Sequence, residues 1–218
     1  MFPIRDDNPT KHTPWMTFLL ITACAAVWVL VQGAGFSEAQ LLSSVTDLGA
    51  VPARLDARPD GAWLTLVTSM FLHGGWAHLI GNLWFLWIFG NNIEDDLGPG
   101  RFLVFYVACG IAAALAHLWS EPGSTLPMVG ASGAISGVMG AYLLRYPRAR
   151  IHTLFFLLIF FTVADLPAWV YLVYWFLIQL AASQIDVGTG GGVAFWAHIG
   201  GFAAGMALLP LLQPSRRR

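Results

Sequence analysis

The chain has 218 residues, of which 57% are hydrophobic and only 11% charged, and its mean hydropathy is +0.65. That balance excludes an ordinary water-soluble domain and fits a protein embedded in a bilayer. A net charge of −1 leaves no basic stripe to neutralise phosphates, which excludes a general nucleic-acid binder.

Residues 1–13 are polar and read as a short cytoplasmic segment. Pro14 then opens an apolar run to Gln32, about the length needed to cross a ~30 Å hydrocarbon core. The run is long for the core of a signal peptide and lacks a clear small-x-small cleavage site, so it reads as span one. Gly33 to Gly75 is a long connection, charged at its centre and apolar from Trp63 to Leu72, where an interfacial helix or packed loop is expected. Span two runs from Trp76 to Ile93 and stops at Glu94-Asp95-Asp96, with Glu94 expected to help fix the turn at Gly98-Pro99-Gly100. Span three is Arg101 to Trp119. A loop with two prolines, Ser120 to Val129, leads into span four, Ala131 to Leu144, closed by Arg145, Arg148 and Arg150.

Ile151 to Ala164 is apolar but only 14 residues long, short for a crossing helix, and Asp165 and Pro167 interrupt it. It is expected to be interfacial or re-entrant. Span five is Pro167 to Gln184. The glycines at 188 and 190–192 suggest a mobile cap that admits substrate and water. Span six, Phe195 to Leu212, precedes a basic tail at 213–218. The expectation is an all-α polytopic membrane protein with a six-helix membrane domain over residues 14–212. Trp15, Trp63, Trp76, Trp119 and Trp196 lie near the ends of apolar runs, as in interfacial aromatic belts. Cys24 and Cys109 sit inside such runs and read as packing residues, neither a disulfide nor a metal pair.

Six spans place both termini on one side. Nine basic residues (Arg5, Lys11, Arg101, Arg145, Arg148, Arg150 and Arg216 to Arg218) then share that side, against Arg54 and Arg58 opposite. By the positive-inside rule it is the cytoplasmic side. A seventh span at Ile151 to Ala164 would send the basic tail outward.

Few side chains within the spans have acid–base chemistry, and such groups are functional candidates because hydrocarbon penalises them. They are His78, Asn82, Ser132 and His198. Measured from the inner polar boundary at 1.5 Å per residue, Ser132 lies roughly 20 Å up span four and His198 roughly 21 Å up span six. His78 and Asn82 lie roughly 24 and 18 Å up span two, so three helices converge at one depth. Gly133 and Gly137, and likewise Gly201 and Gly205, make small-residue faces through which spans four and six can approach closely. Ser132 and His198 would then be neighbours, with the histidine able to take the serine's proton. His78 and Asn82, four residues apart on one face, offer donors to a developing oxyanion, as does the backbone N–H of Ser132. His73 lies just outside span two and His117 near the outer end of span three, while His12 and His152 are expected at the headgroups or in water.

The stretch Phe71-Leu72-His73-Gly74-Gly75-Trp76-Ala77-His78-Leu79-Ile80-Gly81-Asn82, then Gly130-Ala131-Ser132-Gly133, then Ala197-His198-Ile199-Gly200-Gly201, resembles in order the rhomboid intramembrane serine proteases. The resemblance implies Ser132 as nucleophile and His198 as general base in a dyad without a carboxylate, with His78, Asn82 and Ser132 at the oxyanion. It implies no metal or cofactor, and as substrates the transmembrane helices of other proteins, cut near their outer ends. Two departures stand out. Some members carry a tyrosine four residues after the nucleophile, stacked on the base, where this chain has Ser136, so something else must orient His198. The Trp-Arg pair of the long first loop lacks its arginine, since Leu64 and Thr65 follow Trp63.

Other classes fit less well. A zinc protease needs a motif such as His-Glu-x-x-His, which is absent. An aspartyl intramembrane protease needs two carboxylates at depth, whereas Asp165 and Asp186 lie near span ends. A soluble α/β-hydrolase would show Gly-x-Ser-x-Gly after a strand, but residue 134 is Ala. The serious rival is an inactive relative that binds transmembrane helices without cutting them; a transporter would show repeats or broken-helix pairs, which are absent. Economy of length suggests a bacterial plasma membrane. Natural substrate and oligomeric state are not legible.

Overall fold

The computed structural model describes residues 1–57, 61–157, 160–185 and 194–214. Helix dominates it: α1 (Trp15–Leu30), α2 (Glu38–Leu48), the short α3 (Pro52–Asp56) and α4 (Thr65–Thr68), then α5 (Trp76–Leu97), α6 (Pro99–Ser120), α7 (Ser132–Arg145), α8 (Ala168–Ile185) and α9 (Phe195–Leu212). Of these, α6 and α9 are both long and apolar enough to cross a membrane, while α1 and most of α8 are apolar but shorter. Apolar side chains such as Leu19, Ile80, Val104, Leu177 and Leu211 face outward from the bundle. In water so large an apolar surface would drive association; against lipid it carries no penalty.

The helix at the centre is α7. Its residues from Gly133 to Tyr142 are all buried, because small residues let neighbours approach on every side. A Cβ at Gly205 would collide with the backbone carbonyl of Gly137, and one at Gly201 with that of Gly133. On its other flank α9 meets α6, where a Cβ at Gly200 would collide with Ala116. The helix α9 is therefore wedged between α6 and α7, and the expected meeting of the Ser132 and His198 helices is realised through backbone contact. Along α6, Phe102, Phe105, Tyr106, Cys109 and Ala113 form the buried stripe of a helix with period 3.6.

One amendment to an all-helical chain is needed. The segment expected to be interfacial or re-entrant forms, with its neighbours, two antiparallel strands, β2 (Arg150–Leu157) and β3 (Phe160–Pro167). The polar segment at the start of the chain supplies β1 (Phe2–Asp6), which pairs antiparallel with β2, so the sheet order is β1-β2-β3. Ile151 and Thr153 bury one face against the bundle, and Phe155, Phe156, Phe161, Thr162 and Val163 are residues that favour extended backbone. His152 pairs with Asp165 across the two strands, its Nδ1 2.6 Å from the carboxylate. His12 is paired with Asp95 at 2.7 Å.

Two further expectations change. The acidic cluster does not stop span two, because α5 continues through Glu94, Asp95 and Asp96 to Leu97. Glu94 does more than hold the turn at Gly98, whose N–H donates to its backbone carbonyl at 2.7 Å: its side chain also fixes the start of α1. Its carboxylate accepts from the backbone N–H groups of Met16 (2.8 Å) and Thr17 (2.7 Å) and from the Thr17 hydroxyl (2.8 Å). These are orphan donors of the first helical turn, and a carboxylate there also meets the positive end of the helix dipole. At the other end of α1, Gln32 clamps the backbone of His73, donating to its carbonyl and accepting from its N–H, both at 2.8 Å. The apolar stretch after Trp63 is a packed loop with short helical turns, its Leu66 and Met70 buried near Gly110 and Ala114 of α6.

Candidate active site

Ser132 is the first residue of α7, where the chain leaves an irregular loop. That loop is held from both sides: Met128 exchanges backbone hydrogen bonds with Ala50, and the Gly130 N–H donates to the Ser69 carbonyl at 2.9 Å. Gly130 has φ 126°, a conformation that side chains rarely tolerate, and a Cβ there would lie 2.8 Å from His78 Nε2. The glycine thus lets the His78 ring rest against the loop just ahead of the serine. Helix α7 also presents its first turn at this point, where backbone N–H groups have no partner within the helix.

The wedging of α9 brings His198 to the serine. His198 Nε2 is 2.8 Å from Ser132 Oγ, and His198 Nδ1 is 2.7 Å from Gln179 Oε1 on α8. The ring is 7% exposed, so water competes little for these bonds. The place where some rhomboids carry an aromatic is filled otherwise: the Ser136 hydroxyl donates back to the Ser132 carbonyl at 2.6 Å. An aromatic neighbour comes from α8 in its stead, with the Trp175 ring 5.8 Å from His198 at an interplanar angle of 36°.

On α5, the Gly74 N–H donates to His78 Nδ1 at 3.3 Å. The neutral ring then carries its proton on Nε2, toward Gly130 and the serine. Asn82 is buried one turn on, and its amide donates to the His78 carbonyl at 2.9 Å, leaving its second N–H for another acceptor. His73, fully buried, sets its ring edge-on to His78 at 5.3 Å between centroids.

Ser132, His198, His78 and Asn82, from three helices, line one cavity of about 1020 Å³. It is large enough for an extended peptide segment and extends past His117 toward Glu121 and Trp196. Every residue singled out in the sequence for chemistry meets here. Gln179 and Trp175 were not singled out. The signal for Gln179 was present, since an amide inside an apolar span is as much out of place as a histidine. The glycines at 188 and 190–192, expected as a cap, lie outside the described residues.

A model of the Rhomboid domain matches residues 60–215, and the chain belongs to the rhomboid family, whose members are embedded in membranes. Among relatives, the rhomboid protease GluP of Bacillus subtilis is 37% identical over 130 residues, 60% of this chain and 24% of that protein. The mitochondrial rhomboid protein 1 of Saccharomyces cerevisiae is 32% identical over 148 residues, 66% of this chain and 40% of that protein. The mitochondrial RHOMBOID-like protein 6 of Arabidopsis thaliana is 28% identical over an alignment covering 94% of this chain and 71% of that protein. The chain thus spans well under two thirds of the first two.

Proposed function

We propose that this chain is an intramembrane serine protease that hydrolyses peptide bonds in or beside the transmembrane helices of other membrane proteins. The observation that carries the reading is the 2.8 Å approach of His198 Nε2 to Ser132 Oγ inside a roomy cavity. A relative named as a rhomboid protease agrees with it. Ser132 Oγ attacks the scissile carbonyl while His198 Nε2 takes its proton. Charge gathers on the carbonyl oxygen, where His78 Nε2–H, the Asn82 amide and the Ser132 N–H are the available donors. His198 then gives its proton to the departing amine, leaving an ester on Ser132. Water, deprotonated by the same histidine, cleaves that ester and restores the serine.

In this reading α1, α5, α6, α7, α8 and α9 are the six spans of a membrane domain over 14–212. Residues 1–13 and 213–218 lie in the cytoplasm, here of a bacterial plasma membrane, and the cavity opens toward the outer side. The shorter α1 and α7, of 16 and 14 residues, are completed by the residues that flank them. The test is cleavage of a model transmembrane substrate by purified wild-type and Ser132→Ala protein, with a fluorophosphonate probe in parallel. Loss of both cleavage and labelling in the mutant is expected. A folded wild type that neither cuts several substrates nor takes the label would instead point to a helix-binding protein.

A further inference from the structure

We propose that Gln179 is a positioning residue for the general base: its side-chain carbonyl holds the His198 ring with its proton on Nδ1, so that Nε2 keeps a lone pair for the Ser132 proton. The proposal rests on the protease reading and adds to it a third member, an uncharged one, from α8.

The geometry gives the reason. Gln179 Oε1 has no hydrogen and can only accept, so at 2.7 Å the His198 Nδ1 must be the donor. A neutral imidazole has one N–H. With that hydrogen on Nδ1, the nitrogen 2.8 Å from Ser132 Oγ is the bare one, which is the state a general base requires. The other tautomer would present N–H to the serine and face Nδ1 to a second acceptor, leaving two lone pairs opposed. Both partners are sheltered, Gln179 at 9% exposure and His198 at 7%, so water is a poor substitute for the amide. Trp175, one turn earlier on α8, lies against the same ring, so this helix fixes both the tilt of the imidazole and its proton.

An amide suits the location. The groups around the ring are Ser132 from α7, Trp175 and Gln179 from α8, and His78 from α5, with His117 of α6 and the exposed Glu121 just after it further along the same cavity. No fixed positive charge stands among these residues, so an amide needs no counter-charge here, whereas a carboxylate at 179 would have the His198 imidazolium, at hydrogen-bond distance, as its balancing cation.

The experiment compares wild type with Gln179→Leu, Gln179→Glu and Ser132→Ala, each reconstituted as the full chain, reading kcat, KM and the pH–rate profile on a model transmembrane substrate. For Gln179→Leu we expect kcat to fall about 10- to 100-fold, with KM within about twofold and fluorophosphonate labelling slowed in step. Gln179→Glu is expected to recover most of that loss, because its carboxylate also accepts from Nδ1. Its negative charge favours the cationic ring, so the acidic limb of its profile moves to higher pH, a change that simple packing would not produce. If Gln179→Leu does not fold, the limb of Gln179→Glu still decides. A wild-type kcat and profile in a folded Gln179→Leu, or an unmoved limb in Gln179→Glu, would overturn the proposal. Either result with Ser132→Ala inert would leave the protease reading standing, whereas an active Ser132→Ala would remove that reading itself.

Discussion

At the level of single residues, two glycines carry the site for different reasons. Gly130 answers for conformation, since its φ of 126° and the His78 ring leave no room for a methyl group. Gly130→Ala is expected to displace either the serine or the ring, slowing fluorophosphonate labelling by about 100-fold, the scale set by losing one oxyanion donor. Gly205 answers for approach, because its α-carbon faces the Gly137 backbone directly. Gly205→Ala forces α9 off α7 and is expected to cost about 1–3 kcal/mol or more, as overpacking does. A thermal melt in detergent reads it, and labelling should fall with it, since the same contact carries His198 to Ser132.

Among the helices, α1 lends no described residue to the lining of the cavity at Ser132 and His198, yet it is fastened at both ends to the segment that bears His78. Glu94 satisfies its first turn, and Gln32 holds the backbone of His73, five residues before His78. Removing the carboxylate in Glu94→Ala leaves buried donors without a partner, an expected loss of about 1–3 kcal/mol. Hydrogen exchange should then quicken at the Met16 and Thr17 amides. Spacing and depth made the site-bearing helices readable in the sequence, because α5, α7 and α9 each carry a polar group, α5 two of them, at a common height within an apolar run. The hairpin was not readable by the same means. Leu154 to Phe161 is apolar throughout, so the alternation that marks a half-buried strand is missing, and no turn pair such as Asn-Gly occurs in the stretch to announce a hairpin. Its partner β1 lies some 150 residues away, beyond any local pattern. Glu94 was visible as a charge at a helix end, but which helix it serves depends on how α1 and α5 lie together.

Taken as a whole, the molecule closes its Arg145 end with the sheet. Asp6 accepts from the Tyr142 hydroxyl at 2.6 Å, so β1 ties into the central helix. Burial raises the Asp6 carboxyl above its usual range, against the opposing pull of the Tyr142 hydrogen bond. A raised value means that the folded state favours the protonated acid. The contribution is full below the ordinary carboxyl range and is lost as pH rises through the raised value. Asp6→Asn keeps an acceptor for Tyr142 without the charge. It is expected to slow exchange of the β1 amides at pH 7 and to change little near pH 3.

The wedge of α9 between α6 and α7 also bears on the order in which the site is assembled. The chain leaves the ribosome with Ser132, His78 and Asn82 already made while His198 is still to come. A product truncated after α8 would hold Ser132, His78 and Asn82 but lack the base that the proposed chemistry requires. On the protease reading, the constellation is therefore complete only once α9 has inserted between α6 and α7.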